Sequence, residues 1–580
     1  MTVSEYIFDF LQKHGTDTVF MVSGSSAMWL TDALARNKQL KPICCHHEQA
    51  AAMAADGYGR LHTAPGACLV TVGPGATNAV TGVAQAYLDS SSMFIVSGEV
   101  NSRLLKYEME SGIRQNATQS LDIKPMASSV TKYFAIVWQP EDIRYHMERA
   151  YYEAMDGRRG PVWIDVPIDI QNKQIPAVSE MRGFKSVSDI GDDVDYDLII
   201  TQMQQAERPL IFAGGGVQSA GMAATVVKLA EVCQAPVVTS RGGIDVIPSS
   251  HPLFIGRPGS YGDRPSHCAV QEADFILILG SRLSVSTVGY YPQHFGGKAF
   301  KVKIDTDAKE LAKNDVPIER KYCARLEQVL PNLLELAEKA SMADHNAWLA
   351  RLHGLCEHYP NVLPAYADEK PLNEYYFTRK LSEQAPNAAT IVVDTGSVCN
   401  VVSQSWYLKA GQRYLISGGL SCMGFWATAI GAAADGRETI ALAGDGSVQM
   451  NIQEFATLTY NKLPIKLFVY NNNGYMLIRH NQHNYMNDRF LGVGPDSGLQ
   501  TPDFCKVAKA YGLPAMRITC DDDLDEVIQR ALATSGPLVC EVMVQEFAPI
   551  VPRIASRVMP DGSLKAAEFD DLYPFLEEKP

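Results

Sequence analysis

Short apolar runs alternate along the chain with longer segments in which apolar residues recur at helical spacing. A short run bounded by turn residues is typical of a buried strand, and the longer periodic segments are typical of helices. The runs that predict strands are 18–22, 42–45, 68–72, 211–213, 236–239, 275–279, 299–304, 391–393, 439–443 and 465–470. Because strands and helices alternate, the pattern predicts an α/β fold with parallel sheets.

The segment 439–474 is the most informative part of this pattern. Its first apolar run ends in a Gly-Asp-Gly turn that holds Asp445, a helix is predicted over 451–460, and its second apolar run ends in an Asn-Asn-Asn-Gly turn that holds Asn472. Strand, turn, helix and strand form a βαβ unit, so these two residues lie at the carboxyl ends of neighbouring parallel strands. Ligands bind at this end of an open α/β sheet.

The two side chains suggest a particular ligand. A carboxylate and a carboxamide are hard oxygen donors, which suit Mg²⁺ or Ca²⁺ better than a soft metal. With a helix N-terminus close by, the natural ligand is a diphosphate bridged by that metal. Each turn alone is also typical of a plain polar loop, so the prediction depends on finding both turns at the ends of successive strands.

The spacing of the two turns supports a family assignment. Residues 447–470 separate the Gly-Asp-Gly turn from the first two asparagines. This spacing resembles the thiamin diphosphate motif of the acetolactate synthase, pyruvate oxidase and pyruvate decarboxylase superfamily. The resemblance implies Mg²⁺ ligands and phosphate contacts: the side chains of Asp445 and Asn472, the carbonyl group of Gly474 and, for the phosphates, Gly446 and Ser447.

A second segment, HHEQAAAMAADGYGR at residues 46–60, resembles the catalytic segment of the same family. The resemblance implies that Glu48 hydrogen-bonds N1′ of the cofactor's aminopyrimidine ring and drives the tautomer that takes up the C2 proton. Desolvation, which raises a carboxyl pKa, would favour this proton exchange. A glutamate in the first turn of a helix also interacts favourably with the helix dipole, and the residue alone leaves both interpretations open.

The resemblance adds further candidates for cofactor binding. The turn 73–78 is typical of an ordinary strand-to-helix turn, and the resemblance also places it near the cofactor. Met423 is compatible with an ordinary core position, but the resemblance places it under the bend between the cofactor's two rings, where it brings N4′ to C2. The candidates are Gly73, Thr77, Asn78, the phosphate-side turn residues Gly396 and Ser397, the carbonyl group of Ser421, and Met423.

Candidates for contact with the second substrate come from one match to the synthases and from two positions where this sequence differs from them. Gln119 matches an active-site glutamine of the acetolactate synthases. Ser25 stands where those synthases have a second glycine, and Thr118 stands where they have phenylalanine. Both changes are polar and favour an acceptor larger and more polar than pyruvate. His480 and His483 lie just past the metal loop and are candidate acceptor contacts, although such histidines are more often ordinary surface residues.

The resemblance covers about residues 1 to 550 and predicts three doubly wound parallel-sheet domains followed by a tail. Polar stretches near 172–190 and 342–372 are interpreted as linkers. The predicted units are a pyrimidine-binding domain with the catalytic glutamate at 1–175, a middle domain at 190–342, a diphosphate- and Mg²⁺-binding domain at 370–550, and a C-terminal tail at 551–580 that folds over the site as a lid.

The middle domain has two interpretations. The residues around Arg282 resemble the point where FAD-binding members place an arginine on the flavin nucleotide. The residues that follow, LSVSTVGYY, differ from the sequence that the synthases usually have at this position. The domain therefore either binds FAD, in a structural role, or is an empty structural domain.

Composition narrows the function classes. A net charge of −14 argues against nucleic acid as a partner, because phosphate binding needs clustered Lys and Arg. No apolar run is long enough for a transmembrane helix, and the acidic, periodic N-terminus argues against a signal peptide. The 12 cysteines include no CxxC pair, which favours free thiols in a reducing cytosol and predicts a cytoplasmic protein.

Together these features predict a thiamin-diphosphate-dependent carboligase that decarboxylates a 2-oxo acid, with pyruvate as the expected donor, and transfers the acyl unit to a carbonyl acceptor. Segments such as HPLFIGRPGSYGDR resemble homologues of bacterial surface-polysaccharide pathways, which indicates a keto sugar nucleotide as acceptor. An acetolactate synthase and a simple 2-oxo acid decarboxylase are the alternatives, and a non-catalytic homologue is a remote one. The resemblance also implies a homodimer or homotetramer.

Overall fold

Three parallel sheets of six strands follow one another along the chain in the structure, a computed structural model. The structure describes residues 1–186, 190–191, 193–558 and 564–577. Each sheet is accompanied by helices in the sequence intervals between its strands. The predicted α/β fold class is confirmed. Within the described residues, no helix combines the length and the apolar character needed to cross a membrane.

The first sheet has the strand order β2-β1-β3-β4-β6-β5. Its strands are β1 (Thr18–Met21), β2 (Lys41–Cys44), β3 (Gly66–Val70), β4 (Met93–Glu99), β5 (Tyr133–Ile136) and β6 (Pro161–Pro167). Its helices are α1 (Val3–Lys13), α2 (Met28–Arg36), α3 (Glu48–Leu61), α4 (Pro74–Asp89), α5 (Ser102–Ser111), α6 (Lys124–Ser128), α7 (Ile143–Met155) and α8 (Ile168–Gln171).

The middle sheet has the order β12-β11-β10-β7-β8-β9. Its strands are β7 (Pro209–Ala213), β8 (Val237–Thr239), β9 (Phe254–Gly256), β10 (Phe275–Leu279), β11 (Phe300–Asp305) and β12 (Arg320–Cys323). Its helices are α9 (Tyr196–Gln205), α10 (Gly215–Ser219), α11 (Ala223–Cys233), α12 (Arg264–Glu272), α13 (Val285–Val288), α14 (Ala308–Ala312), α15 (Leu326–Lys339) and α16 (Asn346–His358).

The third sheet has the order β14-β13-β15-β16-β18-β17. Its strands are β13 (Thr390–Val393), β14 (Arg413–Ile416), β15 (Thr439–Gly444), β16 (Ile465–Asn471), β17 (Ala515–Ile518) and β18 (Leu538–Met543). Its helices are α17 (Glu374–Gln384), α18 (Ser397–Ser405), α19 (Thr428–Ala432), α20 (Asp445–Val448), α21 (Phe455–Asn461), α22 (Met476–Met486), α23 (Phe504–Ala510) and α24 (Leu524–Ala533).

The C-terminal tail runs over the middle domain. It contains a two-stranded antiparallel ribbon of β19 (Ser556–Val558) and β20 (Leu564–Ala566). Beyond the ribbon, the guanidinium group of Arg264 donates to the carbonyl group of Leu572 at 3.1 Å, and the ring of His267 stacks on Phe569. These contacts fix the described part of the tail against α12, and the predicted lid function stays a prediction.

Two predicted features of the chain are wrong in detail. The helix expected over 451–460 is a 3-10 segment, Gln449–Glu454, followed by α21, because Asn451 leaves helical geometry and its amide donates to the carbonyl group of Gly424 at 3.0 Å. The polar stretch near 342–372 contains α16, which buries Trp348 and Leu352. The stretch therefore includes an amphipathic helix whose apolar side packs on the middle domain.

The first and third domains share one hydrophobic core, centred on the contact between α3 and α19. The contact is close because glycine faces backbone on both helices. A Cβ placed on Gly57 would lie 2.2 Å from the carbonyl oxygen of Thr428, and one on Gly431 would lie 1.7 Å from that of Ala54. A methyl group at either position therefore forces the helices apart.

A pair of buried carboxyl groups lies at the carboxyl ends of β4 and β6. Glu99 and Asp165 are 2% and 1% exposed, and the Asp165 carboxylate accepts a hydrogen bond from the Ser97 hydroxyl at 2.5 Å. Burial raises the pKa of Glu99, and the charge of Asp165 raises it further. Glu99 is therefore stable in its neutral form in the folded protein.

The α3–α19 contact predicts a strong effect of one methyl group. Gly431→Ala is expected to lose stability at the upper end of the ~1–3 kcal/mol that overpacking costs, because a backbone oxygen cannot move aside. Gly354→Ala is the matched control, since this glycine lies within α16 with no heavy atom within 4 Å of an added Cβ. Thermal unfolding should give a lower midpoint for the first variant only. Equal midpoints for the two variants would show that the helices are not closely packed.

The buried carboxyl pair predicts a pH-dependent stability. A carboxyl group with a raised folded-state pKa contributes stability at low pH, and this contribution is lost as pH rises towards that pKa. Glu99→Gln cannot ionise, so its melting temperature should gain on wild type progressively from pH 5 to pH 9. Each pKa unit corresponds to about 1.4 kcal/mol. The exposed Glu110→Gln is the control, and an advantage that is the same at both pH values would refute the raised pKa.

Candidate functional site

The first group of candidate residues lies at the carboxyl end of the first sheet. Glu48 is the first residue of α3, with His47 as its N-cap. Its carboxylate accepts a hydrogen bond from the Asn78 amide at 2.9 Å. A Cβ placed on Gly75 would lie 3.4 Å from the other Glu48 oxygen. The turn before α4 and the start of α3 thus hold one carboxylate between them.

Two further loops meet at this place. Gly73 has φ of +60°, and a Cβ placed on it would lie 2.2 Å from the carbonyl oxygen of Gln119. A Cβ on Gly24 would lie 2.3 Å from the Thr71 side chain. The structure therefore brings the loops of Ser25 and Gln119 to the same end of the sheet as Glu48. Both side chains are exposed.

The second group lies at the carboxyl ends of β15 and β16. Asp445 is 1% exposed, and its two oxygens accept hydrogen bonds from the backbone N–H groups of Gly446 at 2.7 Å and Gly474 at 2.9 Å. Burial raises the pKa of Asp445 to about 7, against the lowering effect of these donors. In the described part of the chain it forms no ion pair within 4 Å, so a cation at its free face would be favourable.

Asn472 lies beside Asp445 and fits the same cation. Its amide oxygen is buried and has no hydrogen-bond partner among the described residues. Gly474 has φ of +141°, and a Cβ there would lie 2.0 Å from the carbonyl oxygen of Val493, so the turn requires glycine. An unpartnered amide oxygen next to a buried carboxylate is the donor set that a hard divalent cation needs.

The loop that carries Met423 is fixed by hydrogen bonds to residues that follow the carboxyl ends of β13 and β15. The backbone N–H of Gly424 donates to the hydroxyl group of Ser447 at 2.7 Å, and that of Trp426 donates to Asp394 at 3.0 Å. Burial raises the pKa of Asp394 to about 6. Sequence reasoning missed the role of Asp394, although its position directly after a strand was a usable signal.

The remaining candidates of the third domain lie in the turns that follow β13, β14 and β15. Gly396 has φ of +82° and open space around its Cα, at the start of α18, where Ser397 is the first residue. Ser421 has φ of +52°, in the left-handed region. The ring of Tyr475 packs on Gly446. An added Cβ at Gly396 would contact no heavy atom within 4 Å, so the turn is open on this side.

Contacts between the domains bring the start of α3 beside the Met423 loop. The Gln49 amide lies 3.8 Å from the sulfur atom of Cys422, and the backbone N–H of His46 donates to Glu454 at 3.0 Å. At the other end of α4, Asp89 accepts from the N–H of Gly419 at 2.6 Å. Residues 418–422 of the third domain therefore pack along the first domain of the same chain.

Two predicted residues have other partners in the structure. The guanidinium group of Arg282 donates to the carbonyl group of Leu88 in the first domain at 2.9 Å. The ring of His480 is 2.8 Å from the carbonyl oxygen of Ala548 and stacks on Phe547, and burial lowers its pKa. Each of these side chains holds two chain segments together.

Glu374, at the start of α17, is a further residue that sequence reasoning missed. It is 1% exposed, and neither carboxylate oxygen has a partner in good hydrogen-bond geometry among the described residues. Burial raises its pKa to about 8, against the lowering effect of the nearby Asn472 amide. Glu374 and Asn472 are far apart in the sequence, so no local pattern predicted that they lie together.

Comparison with protein families matches all three domains. Residues 1–126 match the N-terminal TPP binding domain of thiamine pyrophosphate enzymes, residues 197–333 match the central domain, and residues 394–542 match the C-terminal TPP binding domain. Thiamine pyrophosphate is another name for thiamin diphosphate. The matches follow the order of the three sheets.

Individual relatives agree with this result over nearly the whole chain. A probable acetolactate synthase large subunit of Methanocaldococcus jannaschii is 31% identical, covering 99% of this chain and 98% of the relative. The large subunit of acetolactate synthase isozyme 1 of Escherichia coli K12 is 30% identical, covering 95% and 96%. Acetolactate synthase 2 of Nicotiana tabacum, a chloroplast protein, is 30% identical, covering 95% and 83%.

Proposed function

The chain belongs to the thiamin-diphosphate-dependent, acetolactate synthase-like enzymes, and from that premise we propose that it is a carboligase that decarboxylates a 2-oxo acid. Pyruvate is the proposed donor, and the acyl unit is transferred to a carbonyl acceptor. The observation that carries the proposal is the pair of Asp445 and Asn472, a buried carboxylate without an ion-pair partner in the described chain beside a buried amide oxygen without a partner.

The cofactor is held by the third domain in this proposal. Asp445 and Asn472 would hold Mg²⁺ through their side-chain oxygens, and Gly474 would hold it through its carbonyl group. Gly446, Ser447 and the turn at Gly396 would hold the diphosphate, whose charge the metal would neutralise. When bound, thiamin diphosphate supplies the carbon nucleophile and the electron sink that decarboxylation of a 2-oxo acid requires.

Glu48 would exchange a proton with N1′ of the aminopyrimidine ring. Its carboxylate is held at the start of α3 by the Asn78 amide, which engages one oxygen and leaves the other free to take up or give the proton. The fixed loop of Ser421 and Met423 supports the cofactor from the opposite side, with the Ser421 carbonyl group as acceptor of the 4′-amino hydrogen. Positioning of this kind lowers a barrier without any further functional group.

The acceptor is proposed to be larger and more polar than pyruvate, with a keto sugar nucleotide as the specific proposal. Ser25, Thr118 and Gln119 are exposed polar residues at the Glu48 end of the first sheet. An acceptor that covers them must supply hydrogen bonds, because each buried polar group without a partner costs about 1–3 kcal/mol. Acetolactate synthesis is the second candidate, favoured by the names of the relatives.

Two further features enter the proposal differently. FAD stays outside it, because Arg282, the residue on which that expectation depended, donates to the Leu88 carbonyl group of the first domain. A homodimer or homotetramer stays within it as what the family resemblance implies. The ring to which Glu48 is assigned would then lie on the third domain of a partner.

Glu48→Gln is expected to keep the fold and to bind thiamin diphosphate with Mg²⁺, but to lose about 10²- to 10⁴-fold in turnover, the usual contribution of a positioned acid or base. Carbon dioxide release from pyruvate measures turnover, and fluorescence quenching on cofactor addition measures binding. A kcat close to that of wild type would remove Glu48 from the mechanism.

Asp445→Ala is expected to abolish cofactor retention that depends on Mg²⁺, because the diphosphate loses the metal that neutralises it. Calorimetric titration of thiamin diphosphate at fixed Mg²⁺ measures the effect. Unchanged affinity would disprove the metal assignment. Mixing Glu48→Gln chains with Asp445→Ala chains is the matching control: a site shared between protomers regains part of its activity in the mixture, and a site within one chain does not.

A competition assay tests the acceptor. With pyruvate as donor and a 4-keto sugar nucleotide at a concentration equal to that of pyruvate, transfer to the sugar should exceed acetolactate formation by about 5- to 150-fold, the range that corresponds to about 1–3 kcal/mol. Mass spectrometry separates the two products. If acetolactate dominates, the polar-acceptor proposal fails and acetolactate synthesis becomes the proposed function.

A further inference from the structure

We propose that Glu108 is a positioning residue that holds residues 116–120 in the shape that presents Thr118 and Gln119 to the acceptor. This inference rests on the proposed function, because it assigns these residues to the acceptor step. Glu108 lies near the end of α5, outside every segment that the sequence motifs indicated. Its carboxylate nevertheless accepts three hydrogen bonds from residues 116–120.

The carboxylate of Glu108 is bonded to the loop from both oxygens. One oxygen accepts hydrogen bonds from the backbone N–H groups of Asn116 at 2.5 Å and Ala117 at 2.6 Å, and the other accepts from the hydroxyl group of Ser120. Glu108 is 6% exposed. Desolvation alone would raise its pKa, but these three donors outweigh desolvation and hold the pKa below its ordinary value. The group is therefore a buried, ionised acceptor.

The loop is fixed along its backbone and free at its tips. The Gln115 side-chain amide donates to the carbonyl group of Ser120 at 3.1 Å, which closes the loop at its base. Between the two ends, Thr118 and Gln119 are exposed. Gln119 has φ of +64°, a left-handed conformation that is costly for a residue with a side chain and persists only when its surroundings impose it.

The fixed backbone lies directly against the Glu48 group. The carbonyl oxygen of Gln119 occupies the space that a Cβ on Gly73 would take, at 2.2 Å, and Gly75 lies against the Glu48 carboxylate in the same turn. A shift of the 116–120 backbone therefore changes the distance between Gln119 and Glu48. Glu108 sets this distance from outside the site, without touching either substrate.

With this arrangement, decarboxylation of the donor and transfer to the acceptor should respond differently to the loss of Glu108. Loss of Glu108 frees the loop, so Thr118 and Gln119 take many orientations toward the acceptor. Glu48 and the proposed metal ligands keep their own contacts. We expect kcat/KM for the acceptor to fall by about 10- to 100-fold in Glu108→Ala, which corresponds to about 1.4–2.7 kcal/mol of lost positioning. Carbon dioxide release from pyruvate without acceptor should change less than about twofold.

Hydrogen exchange tests the clamp, the hold of Glu108 on residues 116–120, independently of activity. The amide protons of Asn116 and Ala117 are bonded to Glu108, so their exchange should accelerate at least about tenfold in Glu108→Ala. Glu108→Gln keeps the volume and one acceptor oxygen and should fall between wild type and the alanine variant in both measurements. Glu110→Gln, on the same helix and paired only with Lys106 at 3.8 Å, is the control and should match wild type.

The outcomes distinguish this inference from the proposed function. Unchanged exchange of the two amides in Glu108→Ala overturns the clamp, whatever the enzyme catalyses. Faster exchange with equal losses in donor and acceptor kinetics overturns the assignment to the acceptor step. If wild type releases carbon dioxide but joins no acceptor, the proposed function fails while the exchange result stands. Circular dichroism of Glu108→Gln shows whether the fold survives.

Discussion

The contact between α3 and α19 is the constraint on which the rest of the structure depends. Two glycines, Gly57 and Gly431, let the helices approach until only backbone separates them, and this joins the first and third domains in a single core. Glu48 begins one of these helices, and Met423 lies just before the other. Within one chain, the distance between Glu48 and the loop that carries Met423 is thereby set by helix packing rather than by flexible loops.

Three buried polar side chains of the third domain lie together without a cationic partner. Asp445, Asn472 and Glu374 are each at most 2% exposed, and none of them forms an ion pair within the described part of the chain. Burying a polar atom without a partner costs free energy, and the amide oxygen of Asn472 and both carboxylate oxygens of Glu374 have no partner in good geometry among the described residues. A divalent cation satisfies the carboxylate and the amide oxygen at once, which explains the arrangement within the proposed function.

Much of this arrangement could be predicted from the sequence. The strand ends that hold Asp445 and Asn472 follow apolar runs, and the βαβ order alone places them side by side. What could not be predicted depends on contacts between distant segments. The bond from Asn451 to Gly424 breaks the expected helix, and Arg282 and His480 are engaged by carbonyl groups of other segments. The clamp by Glu108 likewise depends on the folded loop, which local periodicity does not encode.

The most direct test follows the carboxyl carbon that the donor loses. Wild-type protein is incubated with pyruvate labelled with ¹³C at the carboxyl carbon, with and without thiamin diphosphate and Mg²⁺, and the labelled carbon dioxide is counted against the new carbon–carbon product. The account predicts one carbon dioxide for each product molecule, both requiring cofactor and metal. Cofactor binding without carbon dioxide release from pyruvate or any other 2-oxo acid would contradict it.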